Sequence, residues 1–259
     1  MTITLERPAE SVAEVALPAI SRMVGVGTAT TGTTVSQAEL LDLFGIGDPK
    51  VRSVFLNSAI DRRSLTLPAV DAEGRRRPEP QGVLLDKHKR LAVEMGAQAL
   101  QVCLKNAGAS LSDLRHLCCV TSTGFLTPGL SALLIRELGI DPHCSRSDIV
   151  GMGCNAGLNA LNVVAGWSAA HPGELGVVLC AEACSAAYAL DGSMRTAVVN
   201  SLFGDGAAVL ALVSDGASGG ARPGPRILKF ASLLITDAIE AMRYDWDSDL
   251  DRFSFFLDP

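Results

Sequence analysis

The chain has 259 residues with 22 Lys and Arg against 28 Asp and Glu, a net charge of −6; 48% of its residues are hydrophobic and 19% charged. This balance excludes a disordered polymer, which would be poorer in apolar residues, and a general binder of phosphate backbones, which needs an excess of Lys and Arg. The length allows one large domain or two smaller ones with ample material for a core.

In the first twenty residues Glu6, Arg7, Glu10 and Glu14 interrupt the apolar run that an export signal requires. A reducing cytoplasm is therefore expected, with the seven cysteines as free thiols. Residues 1–18 read as a flexible tail and 19–28 as a strand. Residues 36–44 form a predicted helix with Ser36 as N-cap and Glu39 three places on; a second helix is predicted over 49–59. Residues 71–81 carry Gly, two Pro and three Arg and read as a solvated loop. A long amphipathic helix over 84–106, stopping at Gly108, should turn Leu84, Leu85, Leu91, Met95, Leu100, Val102 and Leu104 inward.

Beyond it strands and helices alternate: strand 117–122, helix 130–138, strand 147–151, helix 155–170, and strands 176–181 and 207–213. Such alternation implies crossover connections in a mixed or parallel sheet. Residues 149–173 contain no Asp, Glu, Lys or Arg, yet Asn155, Asn159 and Asn162 with Gly151, Gly153, Gly157 and Gly166 make them too polar and broken for lipid. They read instead as a fully buried strand feeding a buried helix. Residues 214–225 are linker-like, and a new strand is expected over 226–235. The sequence stops on an aromatic strand at Pro259, an apolar ending from which we expect the polypeptide to be a fragment of a longer one. The division expected is a tail over 1–18, a nucleophile-bearing domain over 19–213 and the start of another over 226–259.

The segment 147–167 (SDIVGMGCNAGLNALNVVAGW) carries the chemistry. It sets Cys154 at a sharp strand-to-helix junction, with Gly151 and Gly153 before it and Gly157 after it. A cysteine there meets unpaired backbone N–H groups and the positive end of the helix dipole, which favour the nucleophilic thiolate, while glycines permit a tight turn and close substrate approach. A buried structural cysteine in a glycine-rich turn fits the same spacing. Asn155, Asn159 and Asn162 fall on one helical stripe, which reads more simply as a hydrogen-bonding seam at a subunit interface than as catalysis.

Gly153-Cys154-Asn155-Ala156-Gly157 resembles the nucleophile segment of type III polyketide synthases, the chalcone-synthase-like branch of the thiolase superfamily. CCVTSTGFLTPG (118–129), SLFGDGAAVLAL (201–212) and FSFF (253–256) resemble further blocks of that family in the same order. Further stretches, KVRSVFLNSAIDRR (50–63), AEACSAAYALDG (181–192) and AMRYDWD (241–247), resemble a bacterial branch acting in glycopeptide-antibiotic pathways.

The resemblance implies an α/β fold of thiolase-like α-β-α-β-α layers, of which this chain would supply the N-terminal half and the first strands of the C-terminal half. It implies a homodimeric acyltransferase with malonyl-CoA as substrate, no metal or redox cofactor, and no nucleic-acid or membrane partner. Cys154 would be the nucleophile. Phe203 and Phe255 match gatekeepers between a CoA tunnel and the cavity, Thr123 matches a cavity position, and Cys184 and Ala187 would line the same space. Thr127 matches a loop position that reaches into the partner's cavity. Lys50 matches a CoA-phosphate contact; Ser53 and Asn57 stand where the family has further basic residues, so Arg52, Arg62 or Arg63 would substitute. The family's catalytic His and Asn match nothing present: His88, His116, His143 and His171 read as surface or strand histidines, so this chain alone is expected to be inactive in condensation. Rival readings are a ketoacyl synthase III-type condensing enzyme and a non-catalytic dimerising fragment. Zinc is the weakest, because Cys180-x3-Cys184 has no second pair at ligand spacing.

Overall fold

A computed structural model describes residues 15–257 apart from 32, 75, 78, 188–191, 216–222 and 250. Residues 1–14 of the expected tail over 1–18 and most of the expected linker at 214–225 therefore lie outside the described residues. The elements run β1 (Val15–Ala29), β2 (Thr34–Ser36), α1 (Gln37–Leu43), α2 (Pro49–Leu56), β3 (Arg62–Ser64), α3 (Gln81–Ala107), β4 (Leu114–Val120), α4 (Leu130–Leu138) and β5 (Ser145–Ile149). They continue with α5 (Ala156–Ala170), β6 (Leu175–Glu182), α6 (Met194–Leu202), β7 (Gly206–Ser214), β8 (Arg226–Phe230), β9 (Met242–Asp247) and β10 (Arg252–Leu257).

Six strands form one sheet in the order β5-β4-β6-β7-β1-β8. β4 is parallel to β5 and β6, whereas β6/β7, β7/β1 and β1/β8 are antiparallel, so the sheet is mixed. The two-residue period of the strands sends alternate side chains to opposite faces. Leu117, Cys119, Val177, Leu179, Val209 and Ala211 enter one core with Leu91, Met95, Leu100 and Leu104 of α3. Cys118, Val120, Val178 and Leu212 enter a second core with Ala160, Leu161 and Val164 of α5. The result is three layers, α3 and α4 over the sheet over α5, each fully buried Leu or Met contributing about 1.5–3 kcal/mol relative to exposure.

The closest contact between layers is made by absent side chains. A Cβ at Gly27 would lie 2.1 Å from the Ala99 carbonyl oxygen and 2.4 Å from the Cys103 nitrogen, so α3 rests directly on the β1 backbone. Gly108 ends α3 in a left-handed conformation at φ 66°. Ser36 and Glu39 form the capping box expected for α1. A smaller lobe packs Leu40, Leu41, Val51 and Phe55 against Leu65 and Ala197 of α6.

Several expectations need correction. β1 begins at Val15, inside the stretch assigned to the tail. Val102 is 42% exposed, and Cys103 takes the inward place beside it. The stretch from 149 is not fully buried: β5 is an edge strand with no buried residue, and α5 exposes Leu158 and Val163 on the face that carries Asn155 and Asn162. β8 stops at Phe230, leaving Leu233 and Leu234 exposed beyond it. Helix α6 and strand β9 carry no assignment from sequence. His88 is neither a surface nor a strand residue; it is fully buried in α3.

Candidate active site

β5 ends at Ile149, and the chain reverses through Gly151 at φ +74° and Gly153 at φ +55°, conformations that L side chains rarely adopt. A single 3-10 turn over Gly153–Asn155 leads into α5, so Cys154 sits in the middle of that turn, two residues before Ala156, and is exposed. Asn155, the N-cap of α5, makes no side-chain cap bond, and the Ala156 N–H donates to the Gly153 carbonyl. Of the glycines, Gly157 packs rather than admits substrate: a Cβ there would meet the Cys180 sulfur at 3.4 Å.

Cys184 follows the end of β6 and is 5% exposed. Burial, then Glu182 and Asp205, push its thiol well up. Burial likewise pushes Cys180 up to about 11 and holds Cys119 well above its ordinary value. All seven thiols are unpaired.

Thr123 is buried near the start of the loop after β4. Its hydroxyl donates to Glu182 at 2.8 Å and accepts from the Ala183 N–H at 2.9 Å. The Glu182 carboxylate also accepts the Ser122 N–H and hydroxyl at 3.0 Å. Burial raises the Glu182 carboxyl against the pull of these donors. Beneath the same loop, His88 Nε2 lies 2.8 Å from the Thr121 hydroxyl, and burial lowers its imidazole to about 4. The Tyr244 hydroxyl donates to the Ser122 carbonyl at 3.2 Å, so the β9–β10 hairpin docks onto this loop. The ring of Phe255 stands 5.0 Å from that of Tyr244. Phe255 and Ala187 line one small cavity of about 20 Å³ with Val199 and Asn200.

Phe203 leaves the end of α6 half-buried in extended backbone. Thr127 is exposed in the loop before α4. Lys50 is exposed in the first turn of α2. Arg52 is committed nearby, donating to the Ile46 carbonyl at 2.9 Å and to Asp42 at 3.3 Å. Of the other basic candidates, Arg62 reaches the Thr34 carbonyl at 3.3 Å, and Arg63 is buried. No histidine bonds Cys154 among the described residues: His116 faces Ser145 at 3.0 Å, His171 stacks on Trp167, and His143 is exposed. Among the described residues no group of three or more His, Cys, Asp or Glu could hold a metal ion. No helix there is long and apolar enough to cross a membrane.

Sequence reasoning missed Glu182, Asp205 and His88. Glu182 had a signal, an acid closing an otherwise apolar strand; His88 had none, since its partners follow from packing alone.

Residues 84–216 match the family model for chalcone and stilbene synthases, N-terminal domain. The chain is 74% identical over 260 residues to a 3,5-dihydroxyphenylacetyl-CoA synthase of Amycolatopsis balhimycina, covering 100% of this chain and 69% of that protein. It is 75% identical over 243 residues to the enzyme of the same name from Amycolatopsis orientalis, covering 94% of this chain and 65% of the relative. This chain is thus shorter than its relatives and spans roughly two thirds of their length. The fold is shared with PKS-I of the brown alga Ectocarpus siliculosus at TM-score 0.82 and 23% identity, covering 97% of this chain and 69% of that one. It is shared also with 1,3,6,8-tetrahydroxynaphthalene synthase of Streptomyces coelicolor at TM-score 0.75 and 24% identity, over 92% and 67% of the two chains. With this sequence match, the thiolase-like layering and the glycine-framed cysteine in place, the chain belongs to the chalcone and stilbene synthase family of type III polyketide synthases.

Proposed function

We propose that the chain is the nucleophile-bearing part of a type III polyketide synthase that builds 3,5-dihydroxyphenylacetyl-CoA from malonyl-CoA in glycopeptide-antibiotic biosynthesis. The observation that carries this reading is Cys154, exposed in a glycine-framed turn just before α5. The Cys154 sulfur attacks the carbonyl carbon of a CoA thioester, the carbon–sulfur bond to CoA breaks, and CoA leaves with the proton that the thiol gave up. Decarboxylation of a further malonyl-CoA turns the C–CO₂ bond pair into an enolate, which attacks the acyl group and frees Cys154. The malonyl starter loses its carboxyl group as CO₂ as well, so four malonyl units release four CO₂ and give a C8 chain that closes on itself and loses water to become aromatic. These steps balance without a metal or redox cofactor.

In this reading Thr123, Cys184 and Ala187 line the cavity, and Phe203 and Phe255 stand at its entrance. Lys50 meets the CoA phosphates, with Arg52 holding the loop before α2. Thr127 points toward a second copy in a homodimer, and the Asn155–Asn162 face of α5 becomes covered. The work is placed in the cytoplasm, where CoA thioesters are available. The test is intact-mass spectrometry after incubation with malonyl-CoA: an acyl adduct on the wild type and none on Cys154→Ala. A wild type that alkylates normally with iodoacetamide yet takes no acyl group overturns the proposal. An aromatic CoA product from malonyl-CoA alone, given by the longer protein, separates it from a carrier-protein-dependent condensing enzyme.

A further inference from the structure

Arg63 on β3 is 8% exposed, and its hydrogen-bond partners are neutral oxygens. One guanidinium nitrogen donates to the Phe203 carbonyl at 2.6 Å and the other to Gln37 Oε1 at 2.8 Å. Gln37, the first residue of α1, then donates from its Nε2 to the Ser201 carbonyl at 2.7 Å and to the Ser58 hydroxyl at 2.9 Å. No carboxylate pairs with Arg63 among the described residues, and burial lowers its guanidinium to about 10. A buried cation held only by carbonyl oxygens is expensive, and a hydrocarbon side chain would fill the same space at less cost.

What the cation does is local. Helix α6 carries no basic residue of its own in its last turn. Arg63, directly and through Gln37, supplies one across a gap of 140 residues. Further ties follow: the Asp205 N–H donates to the Ser64 carbonyl at 2.7 Å, and the Thr66 N–H donates to the Asp205 carboxylate at 2.9 Å. That carboxylate also accepts the Ser185 N–H at 2.8 Å and its hydroxyl at 2.7 Å, next to Cys184. Gly204 leaves only 3.2 Å between a would-be Cβ and the Arg63 side chain.

We infer that Arg63, working through Gln37 and the Phe203 carbonyl, is a positioning residue that sets the entrance to Cys154 and ties it to the lobe bearing Lys50. It is thereby not a CoA-phosphate contact. The inference rests on the proposed role of Phe203 at that entrance and adds the group that holds it there.

Two reactions at the Cys154 sulfur separate entry from folding. Iodoacetamide is small and needs no shaped entrance; malonyl-CoA does. Arg63→Met is expected to slow acylation by malonyl-CoA about tenfold or more while alkylation stays at the wild-type rate. Arg63→Lys, which keeps the charge and one donor, should fall between them. In a Phe203→Ala background Arg63→Lys should have no further effect, because the ring it positions is gone. If Arg63→Met fails to fold, Gln37→Leu and Arg63→Lys carry the same comparison. Wild-type acylation rates in these variants, or an Arg63→Lys effect undiminished in the Phe203→Ala background, overturn the inference and leave Cys154 as nucleophile. A wild type that alkylates but does not acylate brings down the proposed function and this inference together.

Discussion

Exposure separates Cys154 from the other six cysteines: Cys103, Cys118, Cys119, Cys144 and Cys184 are buried, and Cys180 is half-buried. Burial also pushes those six thiols up, Cys103 and Cys180 to about 11, so they present almost no thiolate near neutrality. Iodoacetamide at pH 7.5 should therefore label Cys154 first and the others only after denaturation, as peptide mapping would show; early label on Cys118 or Cys184 would contradict this. His88 gives a second test. Its imidazole is lowered from 6.5 to about 4, so its contribution to stability is complete above pH 6.5 and is lost as pH falls through 4. For this fully buried group the loss amounts to about 3 kcal/mol. Glu182, raised by burial, acts in the opposite sense, so the comparison is between proteins. Urea denaturation at pH 7 and pH 4 should show His88→Gln losing about 3 kcal/mol less than the wild type over that interval. Cys154 was legible in sequence because the glycines that shape its turn are its chain neighbours. The groups that support the site were not, because Glu182 meets Thr123 across 59 residues and Arg63 meets Phe203 across 140.

Among the elements, α3 and α5 cover opposite faces of the sheet and make opposite demands on glycine. Gly27→Ala would drive a methyl group into the backbone of α3 at Ala99 and Cys103, where no side chain can turn aside. A loss on the order of 3 kcal/mol is expected, read as a lower urea midpoint. Gly166 on α5 has nothing within 4 Å of a would-be Cβ, so Gly166→Ala should stabilise by about 0.5–1 kcal/mol through helix propensity. Equal effects of the two substitutions would mean that α3 does not rest on β1. The ends of α4 and the cap of α1 follow from local chemistry, and sequence placed both. Helix α6 escaped because Arg195 and Asn200 hide its apolar period, and its fold is fixed by packing Ala197 against the small lobe. The edge position of β5 was equally illegible, since a strand's own residues say nothing about which strands lie beside it.

At the scale of the whole molecule, no histidine bonds the Cys154 sulfur among the described residues. His88 is held under the Thr121 hydroxyl, His116 and His171 flank Trp167, and His143 lies in the turn before β5. Acylation of Cys154 needs a nucleophilic sulfur and a leaving CoA. Condensation asks for more, because the enolate left by decarboxylation needs donors placed where its charge develops. Groups of this kind act as a unit, and removing one member from such a set costs about a thousandfold or more in rate. The 259-residue polypeptide is therefore expected to accept an acyl group from malonyl-CoA and to stop there, with no aromatic CoA product detectable by liquid chromatography and mass spectrometry. Addition of Cys154→Ala polypeptide should not restore product, since it brings no imidazole to the sulfur. Release of an aromatic thioester by the unmodified 259-residue chain would show that donors already present, such as Asn155 or Asn200, suffice to hold the enolate.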